Sequence, residues 1–290
     1  MEKRIIEVSN ISKSFKNKIL DNISFSLSQG EVVSLTGLNG AGKTTLIKII
    51  LGLLKPNAGR IKLNVTPKQD IGVILQDVSL PDDMKVIEWL TLISKFSKYS
   101  DSDLDLILQK VNLQKYKNSL CNTLSGGNKR KLQFAVSIVN NPKLLILDEP
   151  TTGLDYKAKR EFWDLLKNMV KKRSLTVLVI THDLDEVENF TDRLLIINNK
   201  KLIADTNVKT LMETLKQKGK IFVDNQHLSE LILNDNLKVQ KVDDRYCIYT
   251  NNIDETVSEL LSKGISYKHL KIQPNQLSDF FESEVESNNV

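Results

Sequence analysis

Short apolar runs alternate with stretches of helical spacing along most of this chain. The opening reads as strands: Ile5–Val8, Ile19–Leu27 and Glu31–Leu35 are short, β-branched and punctuated by Asn, Asp, Ser and Gly. From Lys43 to Leu54 the spacing turns helical, and Lys55-Pro56-Asn57-Ala58-Gly59 predicts its stop. Strands return at Arg60–Val65 and Ile71–Leu75, and residues from about Met84 to Asn140 read as helix with few strand signals. Strands at Leu144–Leu147, Leu175–Ile180 and Leu194–Ile197 then interleave with helices at Tyr156–Lys172 and Leu184–Phe190. Wholly apolar strands separated by helices predict an α/β fold with a largely parallel sheet covered on both faces. The region 84–140 is then a helical insertion, or subdomain, within it.

The C-terminal stretch has a different order. Strand (Lys220–Asp224), helix (Leu228–Leu233) and two strands (Leu237–Val242, Arg245–Thr250) precede a helix (Ile253–Lys263), a strand (Ser266–Ile272) and a last helix (Gln276–Glu284). The β-α-β-β-α-β order suggests a small α+β, ferredoxin-like module. Thr210–Gly219 reads as the linker, which places the domains at 1–215 and 216–290.

Composition narrows the possibilities. A chain of 290 residues, 40% apolar and 27% charged, has the balance of a globular protein large enough to bury a core. No apolar run approaches the roughly 18–20 residues that cross a bilayer, and Met1-Glu2-Lys3-Arg4 lacks a secretory leader's apolar stretch, so a cytoplasmic product is expected. Cys121 and Cys247 have no metal-like spacing and are expected as reduced, space-filling thiols. The net charge of +5 is uneven: the part from Lys218 onward carries about −4 and the rest about +9. A basic main domain suits polyphosphate ligands or an anionic membrane surface. No basic stripe interleaved with aromatics is seen, so nucleic acid is not expected as a partner.

Three motifs carry chemistry. Gly37-Leu38-Asn39-Gly40-Ala41-Gly42-Lys43-Thr44 fits the phosphate-loop pattern, with a strand before it and a helix after it. Its glycines let backbone N–H groups converge on a phosphate at a helix N-terminus. Lys43 would neutralise phosphate oxygens, and the Thr44 hydroxyl would bind Mg²⁺. Asp148 ends the apolar strand, where a magnesium-organising carboxylate belongs, and Glu149 beside it is placed to polarise an attacking water. Leu124-Ser125-Gly126-Gly127 reads as a capped helix start whose free N–H groups suit a γ-phosphate.

Together these residues resemble the ATP-binding cassette (ABC) ATPase family over roughly residues 3 to 215, and Leu124–Gly127 is similar to that family's signature sequence. The resemblance implies ATP and Mg²⁺ as ligands and a head-to-tail pair of cassettes, a homodimer or a pair with a related subunit. In that pair Ser125, Gly126 and Gly127 of one copy complete the site of the other. It implies nucleotide contacts from Phe15, Gly37, Leu38, Asn39, Gly40, Ala41, Gly42, Lys43, Thr44 and Thr45. The metal would be held by Thr44, Gln76 and Asp148, and catalysis carried by Glu149, His182, Gln76 and Lys43. Phe15 resembles the adenine-stacking aromatic, where Tyr is commoner; a core phenylalanine is the alternative. Gln76 resembles the glutamine that touches Mg²⁺ and faces the membrane partner, His182 the histidine that reaches the γ-phosphate and holds Glu149, and Gly153-Leu154-Asp155 the loop contacting the facing cassette.

Asn128 and Tyr156 depart from the commoner Gln and Pro, away from the phosphate chemistry. Ser125–Leu132 is similar to lipid-exporter and related bacterial exporter sequences. Pro274–Phe281 is similar to the end of the small module that type-2 (ABC-2) exporters carry. The implied function is the ATP-hydrolysing subunit of an exporter, acting on an integral-membrane permease subunit from the cytoplasmic face of the membrane. An importer ATPase, a soluble ABC ATPase acting on ribosomes or nucleic acid, and a regulatory module remain as alternatives.

Overall fold

The computed structural model describes residues 3–75, 79–95, 104–224 and 238–287, apart from the side chains of Lys68 and Arg173. Two compact units emerge, Met1–Asp205 and Thr206–Val290. In the first, β1 (Arg4–Ser14), β2 (Lys18–Ser28), β3 (Val32–Thr36), α1 (Lys43–Ile50), β4 (Ala58–Leu63), α2 (Pro67–Asp70) and β5 (Ile71–Ile74) are followed by three helices, α3 (Val86–Ser94), α4 (Leu104–Lys110) and α5 (Gly126–Ile138). Then come β6 (Leu144–Asp148), α6 (Tyr156–Arg173), β7 (Thr176–Ile180), α7 (Leu184–Phe190), β8 (Arg193–Asn198) and β9 (Lys201–Asn207).

Six strands form the central sheet in the order β5-β6-β7-β3-β8-β9, and the pairs from β5 through β8 are parallel. Every residue of β3, β6 and β7 is buried. The two-residue period explains why. Leu144 and Ile146 of β6 join a core with β1, β2 and α1, while Leu145 and Leu147 join one with α3–α6. A strand apolar at every position thus serves two layers, as the expected parallel sheet requires. A three-stranded antiparallel sheet, β2-β1-β4, lies on the α1 side.

Some elements differ from expectation. Helix α1 ends at Ile50 rather than Leu54, because Gly52 adopts φ 72° and the N–H groups of Leu53 and Leu54 turn back to the Lys48 carbonyl. Strand β9 has no counterpart in the sequence reading. Asn199 and Lys200, both at positive φ, make the two-residue turn that folds it back beside β8.

The second unit contains α8 (Val208–Gln217), β10 (Gly219–Asp224), β11 (Lys238–Val242), β12 (Arg245–Thr250), α9 (Ile253–Ser262), β13 (Leu270–Pro274) and α10 (Leu277–Ser287). The expected linker, 210–219, is mostly α8: Asn207 caps it, and Val208, Met212 and Leu215 bury one face. The unit boundary therefore falls at 205/206, ahead of 215/216. The strand order β11-β12-β10-β13, antiparallel throughout, is the one a ferredoxin-like β-α-β-β-α-β chain makes. The expected helix Leu228–Leu233 lies outside the described residues. A 3₁₀ turn, Tyr267–His269, takes the first half of the expected strand Ser266–Ile272. Cys121 and Cys247 are free and buried.

Candidate active site

The loop from Gly37 to Gly42 joins β3 to α1. Gly37 is its tightest point: a Cβ there would lie 2.0 Å from the Ile197 carbonyl oxygen of β8, and φ is 150°. Helix α1 starts with no side-chain cap and no acidic residue in its first turn, so its positive end is electrostatically open to an anion. Leu38, Asn39, Gly40 and Thr44 are exposed, Ala41 and Thr45 half-buried. The Lys43 ammonium donates to the carbonyls of Gly37 (2.8 Å) and Leu38 (3.1 Å). Burial lowers its pKa, opposed by the carboxylates of Glu149 and Asp148, so the cation lies within the field of both acids.

Asp148 closes β6 and is 3% exposed. Glu149 follows with φ 50°, a left-handed conformation that costs a non-glycine residue about 1–3 kcal/mol unless its surroundings over-determine it. Its N–H donates to the Ile180 carbonyl at the end of β7 (2.9 Å), and its Oε1 accepts from His182 Nδ1–H at 2.7 Å. The carboxylate is the acceptor, so Nδ1 carries the proton and Nε2 is left facing outward. The imidazole is 77% exposed against 15% for the Glu149 side chain. A half-buried carboxylate thus meets a largely exposed ring.

Residues the sequence reading did not single out hold this geometry. Glu186 of α7, 3% exposed, accepts from Thr151 Oγ1 (2.5 Å) and Thr181 Oγ1 (3.0 Å), tying the loop after β6 to the end of β7. Lys159 of α6 pairs with Asp183 (2.8 Å) and approaches Glu186 (3.7 Å). Arg130 of α5 is the other. Its Nη2 donates to the carbonyls of Asp148 (2.8 Å) and Glu149, its Nε to that of Pro150 (2.9 Å), and its Nη1 to Gln133 Oε1 (2.8 Å). Burial lowers the guanidinium's pKa, opposed by the Asp148 and Glu149 carboxylates. The signal was present in the sequence: Gly127, Arg130 and buried Phe134 fall at helical spacing, which puts a cation on an inward stripe.

Ser125 caps α5, its Oγ accepting from the Asn128 N–H at 3.4 Å. A Cβ on Gly126 would meet nothing within 4 Å, and one on Gly127 only Leu154 at 3.5 Å. Among the described residues, no hydrogen bond or ion pair joins Ser125–Gly127 to Gly37–Thr45. Phe15, just beyond β1, is 62% exposed with Lys13 Nζ 5.2 Å from its ring centre, so it is not a core phenylalanine. Gln76 lies outside the described residues.

Among the described residues no group of three or more His, Cys, Asp or Glu side chains converges as a self-sufficient metal cage. A donor set of one exposed hydroxyl (Thr44) and one buried carboxylate (Asp148) instead fits Mg²⁺, which takes few protein ligands and completes its shell with phosphate oxygens and water.

Residues 20–152 match the ABC transporter family model. The zinc import ATP-binding protein ZnuC of Rickettsia conorii is 38% identical over 201 residues, 68% of this chain and 84% of that protein. This chain belongs to the ABC transporter family of ATP-binding proteins. The Nod factor export ATP-binding protein I of Rhizobium leguminosarum bv. viciae is 32% identical over 296 residues, covering 95% of this chain and 93% of that one. Among solved structures, a dimeric ATP-binding cassette in a post-hydrolysis state with ADP and Pi has a TM-score of 0.64 and 25% identity, covering 70% of this chain and 98% of that one. The family makes this chain an ATP-binding ATPase subunit, and the matched span includes the loop from Gly37 to Gly42 and the start of α1. No helix among the described residues is long and apolar enough to cross a membrane.

Proposed function

We propose that two copies of this chain close around two ATP–Mg²⁺, each held by Gly37–Thr45 of one copy and Ser125–Gly127 of the other, and that hydrolysis drives a separate integral-membrane subunit. The observation that carries this reading is the start of α5: an exposed, capped helix N-terminus with open space above Gly126 and no bond to its own chain's phosphate loop. Such an end is free to take a phosphate brought by another molecule in place of its water. The dimeric cassette with ADP and Pi supports the pairing.

Within each site Phe15 stacks on the base, and Lys43 leaves its two loop carbonyls to neutralise phosphate oxygens. Thr44 and Asp148 hold the metal, with Gln76 from beyond β5. When bound, Mg²⁺ spreads the charge that builds on the transferring phosphoryl group. Glu149 accepts the attacking water's proton, and the bond from His182 Nδ1 fixes the carboxylate, while the exposed imidazole is the part of His182 available to the γ-phosphate side of the site. Closure gains from charge-assisted bonds that exist only across the pair.

Export is the favoured direction, with the chain on the cytoplasmic face of the membrane and attached through its partner. The Nod factor export relative aligns along nearly the whole chain, second unit included, whereas the zinc import relative aligns over 68% of it. A permease of the ABC-2 type fits this reading. Import keeps a specific observation in its favour, the 38% identity to ZnuC. Glu149→Gln tests the mechanism: in ATP–Mg²⁺ it runs as a dimer on gel filtration, and a variant that stays monomeric at saturating nucleotide counts decisively against paired sites. Direction is decided by expressing the chain with the membrane protein it co-purifies with. Zinc accumulation by those cells, absent for the Lys43→Ala variant, would establish import.

A further inference from the structure

We propose that Arg130 is a positioning residue that sets the backbone of Glu149 and ties that setting to the helix carrying Ser125–Gly127. Successive carbonyls of an extended strand point to opposite sides. Glu149, at φ 50°, breaks the alternation, and the carbonyls of Asp148, Glu149 and Pro150 converge on one guanidinium. Three acceptors met by Nη2 and Nε suit a planar fork whose donors are spread over fixed positions; an ammonium has three donors too, but they radiate from a single nitrogen and do not reproduce the fork's spacing. The fourth bond, to Gln133 one turn further along α5, fixes the plane of the fork.

Arg130 therefore does two things. It satisfies three carbonyls that a left-handed residue at the strand end would leave pointing together, and it makes them part of α5. Ser125 caps the 13-residue helix in whose second turn Arg130 lies, so a rotation of its start moves the fork. The Glu149 carboxylate is held at Oε1 by His182 (2.7 Å), and its Oε2 accepts only a long bond from Thr152 Oγ1 (3.5 Å), so displacing the backbone changes where Oε2 points. Docking of the α5 N-terminus and the aim of Glu149 are then one event. That last step rests on the paired-site reading above; the positioning of Glu149 does not.

The test uses the full chain with Arg130→Lys and Arg130→Gln, assayed for kcat and KM for ATP well below each variant's melting temperature, beside Glu149→Gln and Glu149→Gln/Arg130→Lys on gel filtration. The expected result is a KM within about twofold of wild type, with kcat down about tenfold in Arg130→Lys and about a hundredfold in Arg130→Gln. Wild-type kcat in both folded variants overturns the proposal, as does a raised KM at unchanged kcat. If Arg130→Gln does not fold, Arg130→Lys decides, because it keeps the charge. Loss of the fold in Arg130→Lys as well assigns the residue a purely structural role and overturns the proposal too. Failure of Glu149→Gln to dimerise removes the paired-site reading and the coupling with it, while the kcat and KM pattern still judges positioning.

Discussion

Gly126 and Gly127 occupy the first turn of a helix where alanine would be the better helix former by about 1 kcal/mol. Gly126 has neither a positive φ nor a neighbour that a methyl group would strike. Its own fold does not explain it. Gly126→Ala is therefore expected to leave the melting temperature unchanged or slightly raised, while ATP-driven dimerisation in the Glu149→Gln background weakens. Equal dimerisation with and without the methyl would remove the steric argument. Gly37 is the opposite case, since the Ile197 carbonyl leaves no room for a side chain. One glycine answers to the chain itself, and the other is accounted for by the paired-site proposal. The phosphate-loop residues, Asp148 and Glu149 were legible because their chemistry needs fixed residue types beside a strand end. Helical spacing could mark Arg130 as facing inward, but what it and Glu186 bind could not be read, because their partners lie on other elements, 18 to 20 and 35 residues away in the chain.

Helices α6 and α7 are joined by Lys159 and Asp183, and their pKa shifts carry a pH dependence. Burial pushes the Asp183 carboxyl up, but bonds from Lys159 and from the Glu186 and Asp185 N–H groups outweigh it and hold the group below the usual carboxylate range. The bond to Asp183 raises Lys159 in turn, against the effect of burial. A depressed carboxylate stabilises the fold above its unfolded pKa of about 3.9, and that contribution is lost as pH falls through the folded value. The raised lysine's contribution is present below about 10.4 and is lost as pH rises through its folded value. Asp183→Asn keeps a side chain able to cap α7 while removing the pair. With both side chains about a third exposed, the expected cost at neutral pH is about 0.5–1 kcal/mol, discounted for screening. Urea melts from pH 3 to 8 should show the gap to wild type closing below about pH 4; a constant gap would mean that the ion pair contributes nothing. Most elements here were readable from their periodicity. Helix α8 was not: its apolar residues mark a face only once the helix is known, and the polar residues between them read equally well as a linker.

Every described candidate residue of the ATP site, from Phe15 to His182, lies in the first unit, which holds both large cores. The second unit has its own sheet and its own small core of Ile221, Val223, Ile248, Leu260 and Ile265. A chain ending after Asn207 is accordingly expected to melt cooperatively and bind ATP with a dissociation constant within about threefold of the full chain's. A fluorescent ATP analogue titrated against both would check this, and lost binding in a folded fragment would give the second unit a part in the site. Its other contribution is to kinship: through it the export relative matches along nearly the full length.

The linear order of residues was enough to establish a parallel sheet, a glycine-rich turn opening a helix, the acidic pair at a strand end and a second capped helix, since each is a local pattern with a local physical cause. Folding alone decided which groups meet. From a neighbouring helix Arg130 gathers three carbonyls, and Glu186 ties two strand ends, because parallel strands set side by side bring their C-terminal ends together whatever the length of chain between them. The meeting of His182 with Glu149, implied by the family resemblance, takes its 2.7 Å geometry from the same strand ends.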